Sequence, residues 1–450
     1  MHYDPATAFF PSFAAARRDF AAGTDSPRDF LERCLEQFFA REGEVQAFVS
    51  HDVDGARAAA DAASARWRDG APLSPVDGLP FGVKDCYDVA GLPTRVNSDW
   101  LADAPPATFD AAHVEGLRRG GAFVLGKTVT TEMTMALPGP TWNPWDLTRT
   151  PGGSSSGSAA AVAAGMLPFA TGSQVRGSVI RPASICGIPA FKPTLGALNR
   201  HGGVDPSPSI NHLGLLGATF EDIWDAARQI ARSVGGDPGC RTLPRGDLPA
   251  PRRPLRLARQ YTIGWDKTDA ASQAAFEAWL AGLAADGVEI VEPSASAELT
   301  AYEDATTRTI EFFFDLFWEV RWPWLEARER APDKFSHVMH RHLDNAAKLS
   351  IDDYERALDR QDELRRMHRD FAGTIDGFVT LAHIGPGQEG MPEMGTPWYN
   401  DASSAIGAPT VNLPLLAVDG LPLGIQLMGY EHRDADLIAL ARWLEARGRR

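Results

Sequence analysis

The chain has 450 residues, of which 44% are hydrophobic and 23% are charged, a composition typical of a globular protein with a large core. Its 59 acidic residues outnumber 44 basic ones, and the formal net charge of −15 argues against a nucleic-acid or anionic-membrane surface, because such surfaces need clustered cations. Four scattered cysteines without a CxxC pair predict neither disulfides nor a zinc knuckle. With no secretory signal in MHYDPATAFF, we expect a soluble protein of the cytoplasm.

Two helices are predicted near the N-terminus, the first starting at Ser26 with Pro27 behind it and the second covering Asp54 to Trp67. After the Pro/Gly-rich residues 71–82, short apolar strands alternate with helices. The predicted strands are AFVLGKT, IPAFKPT, LRLARQY, GVEIVEP, FVTLAHI, APTVNLPLL and GIQLMGY, and the helices between them include Ala270 to Ala285 and Ala435 to Ala446. This alternation predicts an α/β fold with a largely parallel sheet covered on both faces.

A helix-rich stretch at about 295–375 interrupts this pattern, and strands on both sides of it favour one domain over residues 1–450 with a helical excursion. Within the excursion, aromatic side chains crowd a short segment: Phe312, Phe313, Phe314, Phe317, Trp318, Trp322 and Trp324. They indicate either a buried helix or subunit contact, or an aromatic wall facing a substrate. We expect the helices of residues 1–70 and the excursion to contribute to a substrate pocket.

Two short motifs match known patterns but lack their structural context, and a group of histidines completes no known metal pattern. Gly121–Thr128 fits the phosphate-binding GxxxxGK[ST], yet its four intervening residues form a predicted strand instead of a flexible loop. Gly153–Gly157 fits the GxSxG elbow of hydrolases, yet turn-like residues precede it where a strand is required. His337, His340 and His342 place at most two side chains on one helical face, and no metal is predicted.

Serines cluster in the segment from Gly152 to Ser184. Ser155 to Gly165 is predicted as a small-residue helix, MLPFA as a strand, and GSQVRG as a loop that leads Ser178 into a short helix. Ser154 and Ser178 would then both precede a helix, where free backbone N–H groups and the helix dipole can stabilise a developing oxyanion.

A base for such a serine is suggested by Lys84, which lies in the apolar stretch GLPFGVKD. Only six of the 44 basic residues are lysines. A desolvated lysine can lose its proton, whereas arginine cannot. The alternative is that the Lys84 ammonium pairs with Asp85 or with another carboxylate.

Four long blocks, GLPFGVKD, GPTWNPWDLTRTPGGSSSGSAAAVAAG, GSQVRGSVIRPASICGIPAFKPT and GAPTVNLPLLAVDGLPLGIQLMG, together resemble the amidase signature family. The blocks follow the family's order over about residues 75–200 and 375–450, and DFLERCLEQFFAREGEVQAFV resembles its N-terminal helices. The resemblance implies an α/β amidase signature fold, with a large mixed, mostly parallel sheet covered by helices on both faces. It also implies a serine hydrolase without a cofactor.

The family's Ser–cis-Ser–Lys triad maps onto Lys84, Ser154 and Ser178 of this chain. The resemblance implies that neutral Lys84 takes a proton from Ser154, which takes one from the nucleophile Ser178, and that an acyl-enzyme forms. It places the oxyanion hole on the backbone N–H groups of Val175, Arg176, Gly177 and Ser178.

Arg176 departs from the family, which commonly has glycine at this position. The loop can still bind an oxyanion if residue 176 has a negative φ, since backbone donors need no particular side chain. The guanidinium is expected either to turn toward the site mouth and influence substrate choice, or to point to solvent.

The activity implied is hydrolysis of amide-type C–N bonds, extending to carbamates (urethanes) or aryl esters. The alternatives are an A-type subunit of glutamyl-tRNA amidotransferase, which works with partner chains and ATP, and a catalytically silent binding scaffold. We expect a small-molecule amide or carbamate substrate, no nucleic-acid or membrane partner, and a homodimer as one arrangement. The predicted substrate-binding residues are Met133, Trp142, Gln174, Phe317, Trp318 and Trp398.

Overall fold

An eleven-stranded sheet forms the centre of the computed structural model, which describes residues 2–8, 10–244, 246–391 and 394–448. The strands are β1 (Phe48–His51), β2 (Pro80–Lys84), β3 (Phe123–Thr128), β4 (Phe169–Gln174), β5 (Ala190–Lys192), β6 (His212–Gly217), β7 (Arg256–Arg259), β8 (Glu289–Val291), β9 (Gly377–Leu381), β10 (Thr410–Val418) and β11 (Leu421–Met428). Their spatial order is β1-β3-β2-β4-β6-β5-β10-β11-β9-β7-β8.

The sheet is mixed, as predicted, but antiparallel pairs form the majority. Of the ten pairings between described strands, four are parallel (β2 with β3 and β4, β7 with β8 and β9) and six are antiparallel. The expected parallel majority is therefore wrong: β10 and β11, for example, are joined by a two-residue turn, which forces antiparallel pairing. Every residue of β2, β4, β6, β9 and β11 is buried, and because successive side chains point to opposite faces, both faces of the sheet are covered.

The α-helices cover this sheet and form the excursion. They are α1 (Phe13–Ala22), α2 (Pro27–Val45), α3 (Val53–Arg68), α4 (Ala112–Arg119), α5 (Ser156–Ala163), α6 (Ile180–Cys186), α7 (Phe220–Val234), α8 (Ala270–Ala285), α9 (Ala297–Thr307), α10 (Ile310–Phe313), α11 (Arg321–Arg330), α12 (His337–Lys348), α13 (Ile351–Asp370), α14 (Asp401–Ile406) and α15 (Asp434–Gly448). The predicted start of α2 is confirmed, since the Ser26 hydroxyl accepts a hydrogen bond from the Asp29 amide. Nowhere in the described ranges is a helix both long and apolar enough to cross a membrane.

The helical excursion is observed as α9 to α13 with short 3₁₀ turns between them. Of its seven clustered aromatic side chains, Phe312, Phe313 and Phe317 are buried in a hydrophobic cluster that also contains Val175 and Ala402, and Trp324 is buried in the main core. Trp318 is half-buried, and Phe314 and Trp322 are 44% and 73% exposed. The buried-helix interpretation therefore holds for most of the segment, and its contribution to a substrate pocket stays a prediction.

Helix α5 is built from small residues because it packs directly on neighbouring backbone. A methyl group at Gly157 would lie 2.2 Å from the Ala47 carbonyl oxygen and 2.4 Å from the Val129 nitrogen. We expect Gly157→Ala to lower the free energy of unfolding by about 1–3 kcal/mol, as overpacking does, measured by urea denaturation. Gly43→Ala in α2 is the control: its added methyl meets nothing within 4 Å, so stability should rise by about 0.5–1 kcal/mol. Equal effects at the two positions would contradict this account.

Candidate active site

Two neighbouring parallel strands bring Lys84 to the centre of the site. Strands β2 and β4 pair in parallel with Val83 opposite Thr171, so the end of β2 lies beside the later residues of β4. The Lys84 Nζ donates hydrogen bonds to the Ser173 hydroxyl at 2.8 Å and to the Ser173 carbonyl at 3.3 Å. Strand β4 thus continues through Gln174, beyond the predicted MLPFA, and the sequence-based assignment of Ser173 and Gln174 to a loop is wrong.

Ser154 is the third contact of the same amine. The distance from Lys84 Nζ to Ser154 Oγ is 2.8 Å, and the peptide bond between Gly153 and Ser154 is cis, as the resemblance implies. The Arg181 side chain holds this turn by donating from Nε to the Gly153 carbonyl at 2.7 Å. The backbone of the turn is also held from the other side, because the Thr131 amide donates to the Ser154 carbonyl at 3.3 Å.

The environment of Lys84 favours its neutral form. The side chain is completely buried, and burial lowers the pKa of its ammonium to about 8, with the positive charge of Arg181 acting in the same direction. The alternative pairing with Asp85 is wrong: Asp85 accepts from Lys127 at 2.9 Å instead. Burial therefore brings the pKa of Lys84 close to neutral pH, the range that suits a general base.

Ser178 lies directly against the turn that carries Ser154. The Ser155 amide donates to the Ser178 carbonyl at 3.1 Å, which joins the two serine-bearing loops. Ser178 precedes α6 by two residues and is 6% exposed, so both serines come just before a helix, as predicted. The structure thus brings the Ser178 backbone against the turn that carries Ser154, the serine that contacts Lys84.

The predicted substrate-binding residue Gln174 is occupied by protein contacts. Its side chain is completely buried, and its carbonyl oxygen accepts from the amides of Val179 and Ile180 at 2.9 and 3.0 Å. Its nitrogen donates to the Ser404 hydroxyl at 3.1 Å. These contacts place Gln174 as a cap on the start of α6 that shapes the loop around Ser178.

The four predicted oxyanion donors have backbone N–H groups that make no hydrogen bond to any described residue. They belong to Val175, Arg176, Gly177 and Ser178, in the loop between β4 and α6. Buried backbone donors are nearly always paired, so a run of free donors beside a serine indicates a site for a ligand oxygen.

Arg176 does not point freely to solvent. Its guanidinium forms a two-pronged ion pair with Asp401, Nε to Oδ1 at 2.7 Å and Nη2 to Oδ2 at 2.5 Å, and 19% of the side chain is exposed. Residue 176 is absent from the residues with positive φ, so the loop accepts arginine in place of glycine. The solvent-directed interpretation is wrong.

Of the other predicted substrate contacts, Phe317 and Trp398 have neighbours among the described residues that touch the loop before Ser178. Met133 is completely buried, and Trp142 is half-buried and donates a hydrogen bond from its backbone amide to the Val45 carbonyl. The Trp318 ring stacks on that of Tyr354. Phe317 is 7% exposed and packs edge-on against Phe313 and Phe314, which contact Arg176. Trp398 is half-buried next to Pro397, whose ring lies against Gly177.

The motifs set aside on sequence grounds have other roles in the structure. Lys127 of the phosphate-binding pattern ends in the ion pair with Asp85, and residues 123–128 of that pattern form strand β3. Turns and irregular backbone lead into Gly153, as predicted. His337, His340 and His342 lie on α12, and within the described ranges no group of three or more His, Cys, Asp or Glu side chains is placed to hold a metal ion.

Nearly the whole chain is similar to known proteins in sequence and in fold. The family model named Amidase matches residues 29–438. The chain is 31% identical to the A-type subunit of glutamyl-tRNA(Gln) amidotransferase from Chloroflexus aggregans, with 94% of each chain covered. It is 40% identical over 226 residues to AtzE, a 1-carboxybiuret hydrolase subunit of a Pseudomonas species, with 49% of this chain and 50% of that protein covered. A solved structure described as an amidase superposes with a TM-score of 0.85 at 26% identity, covering 97% of this chain and 99% of the other.

Proposed function

The chain belongs to the amidase family, and from that membership we propose that it hydrolyses amide-type C–N bonds through an acyl-enzyme on Ser178. The observation that carries the proposal is the 2.8 Å contact between the buried Lys84 amine and the Ser154 hydroxyl. A buried lysine that contacts a hydroxyl and no carboxylate among the described residues is suited to accept a proton.

The direction of proton transfer follows from the hydrogen-bonding capacity of Lys84. A neutral amine has two N–H groups and one lone pair, and the Ser173 carbonyl can only accept. When the Ser173 hydroxyl and carbonyl take the two N–H groups, the lone pair is left for the hydroxyl proton of Ser154. Ser154 then becomes the acceptor for the proton of Ser178.

In the proposed reaction, the Ser178 oxygen attacks the substrate carbonyl carbon while its proton moves through Ser154 to Lys84. The carbonyl oxygen becomes an oxyanion, and the free amides of residues 175–178 stabilise it. When the tetrahedral intermediate collapses, the C–N bond breaks and the relay returns the proton to the leaving nitrogen. A water molecule activated by the same relay then hydrolyses the acyl-enzyme.

The substrate class proposed is a small amide, extending to carbamates (urethanes) and aryl esters, because acyl transfer to a serine tolerates several leaving groups. Among the predicted contacts, Trp398 and Phe317 are the best supported. Their neighbours Pro397, Phe313 and Phe314 touch the loop that precedes Ser178. No metal or organic cofactor is needed for this mechanism.

A second candidate is an A-type amidotransferase subunit, which the 31% identity to the Chloroflexus aggregans protein over 94% of the chain favours. Such a protein would depend on partner chains for its full reaction. The acidic net charge and the aromatic excursion favour an independent hydrolase instead.

The test is hydrolysis of a panel of anilides, primary amides and aryl carbamates by the purified chain alone. Mass spectrometry of the quenched reaction should find the acyl group on the peptide that contains Ser178. Turnover with acyl transfer to another residue would overturn the mechanism. Turnover that appears only with added partner chains and ATP would favour the second candidate, and no acylation under either condition would favour a silent scaffold.

A further inference from the structure

We propose that the ion pair between Arg176 and Asp401 fixes the loop that carries the oxyanion-binding amides, so that Arg176 is a positioning residue for the reaction. This inference rests on the proposed function of Ser178. The pair joins the loop after β4 to the first residue of α14, 225 positions along the chain. Two parallel contacts between a guanidinium and a carboxylate define orientation as well as distance.

The main chain of Arg176 is held by the same helix. The Ser404 hydroxyl, one turn along α14 from Asp401, donates to the Arg176 carbonyl at 2.6 Å. Ser404 in turn accepts from Gln174, the residue that caps α6. Helix α14 therefore holds residue 176 both by its side chain and by its backbone carbonyl, next to the peptide groups whose N–H groups are free.

Gly177 shows how closely this segment approaches the loop. A methyl group added at Gly177 would lie 2.4 Å from the Asn400 Oδ1 and 3.3 Å from the Pro397 Cβ. Any tilt of the loop toward α14 would cause a collision, and any tilt away would stretch the ion pair. The position of the Arg176 and Gly177 amides is thus limited in both directions.

Aromatic rings of the excursion complete the surroundings of the guanidinium. The Arg176 guanidinium carbon lies 5.2 Å from the Phe313 ring centre and 5.1 Å from that of Phe314. These rings attract the cation and shield it from water, which strengthens its pairing with Asp401. The helical excursion, the oxyanion loop and α14 therefore meet at one arginine.

This arrangement predicts a loss in kcat rather than in KM. Oxyanion donors act only when they point at the place where charge develops in the transition state, and removing one costs about 10²–10³-fold in kcat. Loosening the loop displaces several donors without removing any. We expect Arg176→Gln and Asp401→Asn each to lower kcat by about 10–100-fold while KM changes by less than about 3-fold.

The experiment measures kcat, KM and the rate of inactivation by a fluorophosphonate for Arg176→Gln, Asp401→Asn and the double variant. The fluorophosphonate reacts with an activated serine, and its phosphoryl oxygen would occupy the oxyanion position. The matched control is Asp77→Asn, which breaks the two-pronged pair with Arg66 before the first residue of β2. The Asp77 carboxylate is as buried as that of Asp401, so losing its ion pair should destabilise the fold to a similar extent. This pair lies near the start of β2, whereas Lys84 is at its end.

If the pair positions the loop, the double variant should lose no more kcat than the worse single variant, because both act through one interaction. Asp77→Asn should leave kcat unchanged. Independent, multiplying losses, an equal loss in the control, or a rise in KM without a loss in kcat would each overturn the proposal. Parent activity that survives Ser178→Ala would contradict the proposed function instead, and full activity of Arg176→Gln in a Ser178-dependent enzyme would contradict only this inference.

Discussion

Replacing Ser178 with alanine is expected to lower kcat by about 10⁵–10⁶-fold, because the variant has no oxygen that can form the acyl-enzyme. The free amides of residues 175–178 and the buried lysine would remain, so a small residual rate above that of water is expected. The measurement is kcat for the best substrate of the panel, with protein from a host strain whose background activity has been determined.

Ser156→Ala is the matched control for this prediction. Ser156 is a buried serine on α5, and its hydroxyl donates to the Val129 carbonyl at 3.3 Å, outside the contacts made by Lys84. We expect kcat within about 3-fold of the parent. Ser156 resembles Ser178 in being a buried serine near the start of a helix, but it makes no hydrogen bond with Lys84. A comparable collapse in both variants would indicate damage to the fold, and turnover that survives Ser178→Ala would identify another nucleophile.

The sequence predicts most elements of the sheet because apolar runs bounded by Gly and Pro are local signals. Helix α8 is such a local element, and its predicted bounds, Ala270–Ala285, are confirmed. Strands β1, β2 and β6 are not predicted from the sequence. β1 has four residues at the sheet edge, whereas PFGVK in β2 and HLGLLG in β6 contain proline or glycine, which weaken a strand pattern.

Part of the candidate site can likewise be predicted from local sequence, whereas another part depends on contacts between distant segments. Lys84, Ser154 and Ser178 lie in continuous blocks whose pattern can be read along the chain. The partners of Arg176 cannot be read along the chain in this way. Asp401 and Ser404 come from a helix more than 220 residues away, and nothing in PWYNDASSAIG indicates that its aspartate pairs with Arg176. Only the folded structure shows that Arg176, which departs from the family pattern, pairs with the opposite charge of Asp401.

The aromatic segment gave two interpretations because burial and proximity to a site leave the same sequence signature. The structure shows which of these residues are buried, and a substrate-facing role for any of them stays a prediction. Phe312, Phe317 and Trp324 are buried, whereas Phe314 is 44% exposed and lies against the Arg176 guanidinium. Spacing alone could not separate them, since a succession of short helices replaces one regular helical face.

Replacing Lys84 with alanine is expected to lower kcat by about 10²–10⁴-fold, the range that loss of a general base produces. The pH dependence of kcat/KM gives a second test of Lys84 as the general base. Burial lowers the pKa of Lys84 to about 8, and only the neutral amine can accept a proton. For the parent, kcat/KM should therefore rise about tenfold per pH unit below pH 8 and level off above it. The variant should lose this inflection.

A second buried lysine provides the control, because burial also lowers the pKa of Lys192, to about 7. Its amine donates to the Ala408 carbonyl at 2.5 Å and contacts neither Ser154 nor Ser173. Lys192→Met should keep the inflection near pH 8, since the proton that limits the rate resides on Lys84. An inflection that disappears in Lys192→Met, or persists in Lys84→Ala, would assign the rate-limiting ionisation to another group and remove Lys84 from the proton relay.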